Sequence, residues 1–322
     1  MSQIDSFAIR YSECFDSLKI ILENNLEFKR GVFLVENSYI SGMDYQIFDN
    51  TIKQLARIAT AWQESNPLKN YHYNDSDNLH KNLSIYKLLK DTIRLLQKNN
   101  SEIVLLPYSY DFVDFMGRTN WSNMFVTKLL STNRGNCHSL PYLYKILADE
   151  LNASCWLSLA PNHIYIKNRC KKDGWYNTEL TSGNFPTDAW ITASGYVPLA
   201  AIQNGIYLDT LSNQQAIALC VLDLAKAYEF KTKNYYDGFI LKCCNLVLQF
   251  HPMNVQAILL QAETLKHIYE RQRKNRSSIA TETYQKMEEL YIKLFDLGYR
   301  EMPEKMYLQW LKSVIKERNK NF

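Results

Sequence analysis

Apolar residues recur at three- and four-residue intervals through most of this chain, and the exceptions gather in one central stretch. Phe15, Leu18, Ile21 and Leu22 form one set, Phe48, Ile52, Leu55, Ile58 and Ala59 a second, and Ile85, Leu88, Leu89, Ile93 and Leu96 a third. This spacing predicts three helices in the first hundred residues. The polar run 66–78, rich in Asn, Asp and Tyr, predicts a loop between the second and third. A short helix is expected from about Trp121 to Leu130, broken by Thr132-Asn133-Arg134-Gly135-Asn136. A new one should follow from near Cys137 to Leu151, with Leu140, Leu143, Tyr144, Leu147 and Leu151 on one apolar face.

The period then shortens. Ser154 to Ala160, His163 to Lys167 and Trp175 to Leu180 read as short antiparallel strands, the last two joined by the charged turn Lys171-Lys172-Asp173-Gly174. Thr181 to Asp188 is expected as a loop and Ile191 to Leu208 as a mixed connector. From Asn213 helical spacing returns: Ile217, Cys220, Leu224 and Tyr228, then Phe239, Cys243, Leu246 and Phe250, then Ile258, Ala262 and Leu265, then Met287, Leu290, Tyr291 and Leu294. That is two helix pairs and a tail, with the basic, polar segment Arg271 to Ser278 inserted in the second pair. The expectation is an α+β chain: helices with a small antiparallel sheet over residues 1–208, and an all-α region of helical hairpins over 209–322.

Composition narrows the classes of function. The chain has 322 residues, 46% hydrophobic, 22% charged and 13% aromatic, which describes a folded protein with room for about two domains rather than a disordered one. Thirty-seven basic against 33 acidic residues give a dispersed net charge of +4, which selects neither nucleic acid nor an acidic membrane as partner. Apolar runs stop well short of the roughly 18 residues needed to span a bilayer. The start, Met1-Ser2-Gln3-Ile4-Asp5, has no basic-then-apolar leader. A cytoplasmic location is therefore expected, or an extracytoplasmic one if a leader has been trimmed. Seven cysteines, odd in number and scattered, read as free thiols. No glycine-rich phosphate loop is present, and Cys137, Cys155, His163 and Cys170 lack the short knuckles of a structural zinc site, so neither cofactor nor metal is expected.

One of the seven thiols stands in a reactive context. Cys137 falls at the start of a predicted helix, where unpaired N–H groups and the helix dipole favour a thiolate. His163 opens a predicted strand after the turn Pro161-Asn162, and Glu179 lies on the next strand, 16 residues later, within reach of a hairpin that folds back. Helix-tip cysteine, strand histidine and next-strand acid make a nucleophile, a base and an orienting group, in the chain order of papain-like enzymes. Asp173 and Asp188 are the alternative acids, one in the hairpin turn and one in a loop. An oxyanion hole would draw on the Cys137 backbone N–H and a second donor, for which Asn120 and Trp121 are candidates. His138 is expected at the rim of a groove. His72, His80, His251 and His267 are expected in loops or at the surface, and Cys155, Cys170, Cys220, Cys243 and Cys244 as small apolar side chains.

Arg134-Gly135-Asn136-Cys137-His138-Ser139-Leu140, Leu143-Tyr144 with Ala148, Pro161-Asn162-His163, and Trp175 with Glu179 together resemble bacterial transglutaminase-like proteins over about residues 28–200. That pattern has Gly-x-Cys opening a helix, Pro-x-His opening a strand, and Trp with an acid on the next. Gly31-Val32-Phe33-Leu34-Val35-Glu36, followed by the helix around Phe48 to Ala59, is similar to a subgroup that joins this domain to tetratricopeptide-like helices. Pro252 and Asn254 stand between the helix pairs as Pro-x-Asn does in such arrays. The resemblance implies a papain-like α+β core, with Cys137 as nucleophile, His163 as base and Glu179 as orienter. It further implies acyl transfer or amide hydrolysis through a thioester on a peptide or protein substrate, and a protein partner for the C-terminal helices. The acid is a departure, since many members carry Asp there. The competing class is a peptide- or protein-binding module on the same fold without catalysis.

Overall fold

The computed structural model describes residues 3–96, 102–303, 305–310 and 312. It is mixed helix and sheet, and its contacts divide the chain into two compact units, each assembled from two separate stretches. One unit combines the residues up to Met43 with Pro198–Arg300. The other combines Asp44–Val197 with the described residues from Glu301 onward. A single boundary at 208/209, separating 1–208 from 209–322, is not how the chain partitions. The reason lies in the N-terminal helices.

Helices α1 (Gln3–Glu23) and α2 (Phe28–Ile40) open the first unit, and both pack on a helix nearly two hundred residues later, described below. Helix α2 is absent from the periodicity reading, yet it buries Phe28, Val32, Phe33 and Val35. In the second unit α3 (Tyr45–Ser65) starts at Asp44, whose carboxylate accepts from the Gln46 N–H, and it buries Phe48, Ile52, Leu55 and Ala59. Helix α4 (Ser76–Lys90) ends earlier than expected. Ile93 and Leu96 belong instead to strand β1 (Ile93–Leu96), paired antiparallel with β2 (Glu102–Leu105). Asp91 and Thr92 are weak helix formers at that break, and beyond it Ile93 is buried while Leu96 is 83% exposed.

Strand β3 (Ser109–Tyr110) pairs in parallel with β4 (Arg134–Gly135), and between them lie a 3-10 turn over Trp121–Met124 and helix α5 (Val126–Thr132). Helix α6 (Ser139–Glu150) follows. It is buried from Ser139 through Ala148 on all faces, Tyr142 and Ile146 included, so it is a central helix and not one with a single apolar face. Strands β5 (Trp156–Ala160), β6 (His163–Cys170) and β7 (Gly174–Thr178) form an antiparallel sheet in that order. Ala160 pairs with His163 across a two-residue turn in which Asn162 takes the left-handed φ of 55°. Gly174, at φ 77°, turns the chain from β6 into β7. Helix α7 (Asp188–Ser194) closes this stretch, and a further helical segment over 305–310 rejoins the unit.

The first unit resumes with α8 (Leu199–Gln203) and α9 (Asn213–Thr232), the latter begun by a reciprocal cap between Ser212 and Gln215. Helix α9 is the helix on which α1 and α2 pack. Helices α10 (Phe239–Phe250), α11 (Val255–Lys274) and α12 (Ala280–Asp296) follow, each packed on its predecessor. Tyr11, Phe15, Tyr228 and Phe239 form an aromatic cluster where α1 meets α9 and α10. The segment Arg271 to Ser278 is not an insertion throughout, because its first half is the last turn of α11. His251 is buried, not at the surface, bonded through Nδ1 to the Asn254 amide. Among the described residues no helix is long and apolar enough to cross a membrane.

Candidate active site

The site is built around the loop that joins β4 to α6. Asp111 N–H donates to Gly135 O at 2.7 Å, fixing that loop against the chain that follows β3. Gly135 has no room for a side chain: a Cβ there would lie 2.6 Å from Ser139 Oγ and 2.7 Å from Leu129 Cδ1. Asn136 then does the capping. Its Oδ1 accepts from the N–H groups of His138 and Ser139, both at 3.0 Å, while its Nδ2 donates to Phe115 O at 2.8 Å.

Cys137 follows that cap and precedes His138, the N-cap residue of α6, so it stands two residues ahead of the first helical residue. The free N–H groups expected to stabilise its thiolate are bonded to Asn136 instead. Its side chain is part-buried, with Sγ 3.7 Å from Asn162 O. Burial opposes ionisation, but the hydrogen bond and charge of His163, with a further bond from Tyr307, outweigh it and hold the thiol below its usual range. The histidine, rather than the helix end, is the physical cause.

His163 is 4% exposed and Glu179 2%. The His163 Nε2 lies 2.5 Å from Glu179 Oε2, and its Nδ1 lies 3.1 Å from the Tyr307 hydroxyl. Burial lowers the imidazole pKa, yet the Glu179 charge and the bonds to Cys137 and Glu179 raise it to about 10. Burial likewise penalises the Glu179 carboxylate, and His163 together with the Thr181 N–H brings it below its ordinary value. Glu179 sits just past the end of β7, in an isolated bridge to Asn184, with Oε1 accepting from the Thr181 N–H at 2.7 Å. The structure thus bonds His163 to Glu179 and sets Cys137 beside them, its Sγ facing the carbonyl of Asn162, the residue before His163.

The alternative acids are engaged elsewhere. Asp188 accepts from Lys167 Nζ at 2.8 Å and from Asn177 Nδ2 at 2.7 Å, and Asp173 lies in the β6–β7 turn beside Cys170. Among the described residues no acceptor faces the Cys137 backbone N–H. Asn120 is committed differently, its N–H to Asp114 and its side chain to Ser122. His138 is part-buried, with Nδ1 3.0 Å from Met124 O. The other six cysteines are buried free thiols. Burial pushes Cys14, Cys155 and Cys244 up to about 12.

Sequence reasoning missed the aromatic groups around the sulfur. Phe115, Met302, Tyr307 and Trp310 form a buried cluster against which Tyr110, Cys137 and Trp190 pack. Burial and the Cys137 charge raise both Tyr110 and Tyr307 well above the usual phenol range, so both are neutral near pH 7. Tyr307 meets His163 across 144 residues of sequence, a separation that leaves no local signature. Among the described residues no group of three or more His, Cys, Asp or Glu side chains is placed to hold a metal ion. Compared with protein-family models, curated proteins and solved structures, the chain matches none of them.

Proposed function

We propose that this chain is a transglutaminase-like cysteine acyltransferase or hydrolase acting on a peptide or protein amide, on a papain-like core. The carrying observation is the buried His163–Glu179 pair beside Cys137, whose Sγ faces the carbonyl of Asn162, the residue before His163. The Cys137 thiolate attacks the amide carbonyl carbon, forming the C–S bond and a tetrahedral oxyanion that the Cys137 N–H can receive. Imidazolium at His163 gives its proton to the leaving amine as the C–N bond breaks. Water or a second amine then attacks the thioester while His163 takes a proton from it, and the C–S bond breaks to return the thiolate. Glu179 keeps the ring oriented and its positive charge stabilised.

The consecutive helical hairpins α9–α12 would be tetratricopeptide-like and serve a protein partner. A cytoplasmic setting belongs to the same reading, because it keeps seven unpaired thiols reduced. Iodoacetamide labelling of Cys137 in the full chain tests the nucleophile. It is expected to persist well below pH 8 and to weaken in His163→Ala, whereas titration near the ordinary value of about 8.5 in both proteins overturns the reading.

A second reading, a non-catalytic peptide- or protein-binding module, is favoured by the filling of the space beside Cys137 with Phe115, Tyr110 and Tyr307. It expects ordinary thiol titration, and partner binding that survives Cys137→Ala.

A further inference from the structure

For acyl transfer a substrate carbonyl carbon must come within about 3–3.5 Å of the Cys137 sulfur. That approach is taken up by the chain itself. Of the four buried side chains in the cluster that Cys137 packs against, Met302, Tyr307 and Trp310 come from the segment 301–310, whose described residues are 301–303 and 305–310. The Tyr307 hydroxyl lies 3.1 Å from His163 Nδ1, the nitrogen not bonded to Glu179 and therefore the one that must exchange the proton with Cys137 and the leaving group. The Trp310 ring stands edge-on to the same imidazole, centroids 4.8 Å apart.

The segment is held as a bound peptide would be. Asn162 Nδ2 donates to the backbone carbonyl of Met302 at 2.8 Å, and the carbonyl oxygen of that same Asn162 faces the Cys137 sulfur at 3.7 Å. At the other end Trp310 Nε1 donates to Ser194 Oγ at 2.9 Å, with the ring beside Trp190. One side-chain amide thus reads a peptide carbonyl, and one aromatic slot with a hydroxyl acceptor reads an indole.

We infer that residues 301–303 and 305–310 are a displaceable strap lying in the substrate cleft, and that the substrate which replaces them is a peptide segment carrying a bulky aromatic residue. This deepens the proposed cysteine chemistry and rests on it for the word substrate. The tether gives the strap a high effective concentration, in the millimolar range for a short connection, so an incoming peptide must match its contacts to compete.

The test uses the full chain, with iodoacetamide as probe and site-resolved mass spectrometry at Cys137. Trp310→Ala should label about tenfold faster than the parent at every pH. Ser194→Ala, which removes only the indole's acceptor, should label a few-fold faster and serves if the first variant does not fold. A synthetic peptide of residues 301–312 added to the faster variant should slow labelling again, and the same peptide with Met302, Tyr307 and Trp310 replaced by alanine should not. Equal rates in parent and folded variant, or no slowing by the native peptide, overturn the strap. The strap is judged by a ratio of rates, whereas the nucleophile is judged by the pH midpoint. A tenfold ratio with an ordinary pH midpoint in both proteins would keep the strap and sink the catalysis, and a low midpoint with a ratio of one would do the reverse.

Discussion

Glu179 Oε2 stands 2.5 Å from His163 Nε2, with both side chains almost wholly withdrawn from solvent. Glu179 lies beyond the last residue of β7, and the Thr181 N–H holds its second oxygen back from the ring.

Glu179→Gln should therefore destabilise the protein in a pH-dependent way. Glu179 has a lowered folded pKa, so its contribution is present above the unfolded value of 4.5 and lost as pH falls through the folded one. His163 has a raised folded pKa, so its contribution is complete below 6.5 and fades as pH rises toward about 10. The two windows overlap at about pH 5 to 6.5. There the loss should be greatest, about 3–5 kcal/mol for breaking a buried pair, shrinking toward pH 10. Urea unfolding at several pH values measures it, and a pH-independent difference would contradict the linkage.

Asn136→Asp separates capping from electrostatics at Cys137. A carboxylate can still accept from His138 and Ser139, but it cannot donate to Phe115 O, and it sets a negative charge next to Cys137. The pH midpoint of Cys137 alkylation should rise, and stability should fall by about 1–3 kcal/mol for the orphaned carbonyl. An unchanged or lowered midpoint would show that the charge does not reach the sulfur.

Gly135→Ala meets Ser139 Oγ and Leu129 Cδ1 well inside van der Waals contact. Overpacking of this kind costs about 1–3 kcal/mol. Chemical denaturation of the purified variant reads this directly, and wild-type stability would mean that the loop gives way freely.

In the helical unit, Ser212→Ala removes one half of the reciprocal cap that begins α9. A loss of about 1 kcal/mol is expected by urea titration, and Ser212→Asn should recover most of it, because Asn is an equally good cap.

Much of the second unit is legible in spacing. The alternation in Ser154–Ala160 and His163–Lys167, with Gly174 at the turn, marks the sheet, and the motif around Cys137 leads to the residues that meet there. Ile93 and Leu96 mislead because they continue the apolar interval of α4, and only the partner strand Glu102–Leu105 decides otherwise. Helix α2 escapes because Val32, Phe33 and Val35 suit either period until α9 covers them. Tyr307 and Trp310 escape for a stronger reason: their role comes from packing against residues far away in sequence, and nothing adjacent to them encodes it. The sequence singles out Cys137 among the thiols, but the helix-end cause it suggests is not the one in the structure. The helix-end argument fails because the Asn136 amide has taken the N–H groups on which it relies.

The assembly of each unit from two distant stretches has a consequence for synthesis. A ribosome releases the chain from its N-terminal end, so α1 and α2 emerge with their apolar faces bare and wait for α9, nearly two hundred residues behind. The packing around Cys137 is likewise completed late, when Met302, Tyr307 and Trp310 arrive, long after β7 has set Glu179 in place. Contacts of such long range slow folding. For the time between, the newborn chain carries the Cys137 thiol and the apolar faces of α1 and α2 uncovered.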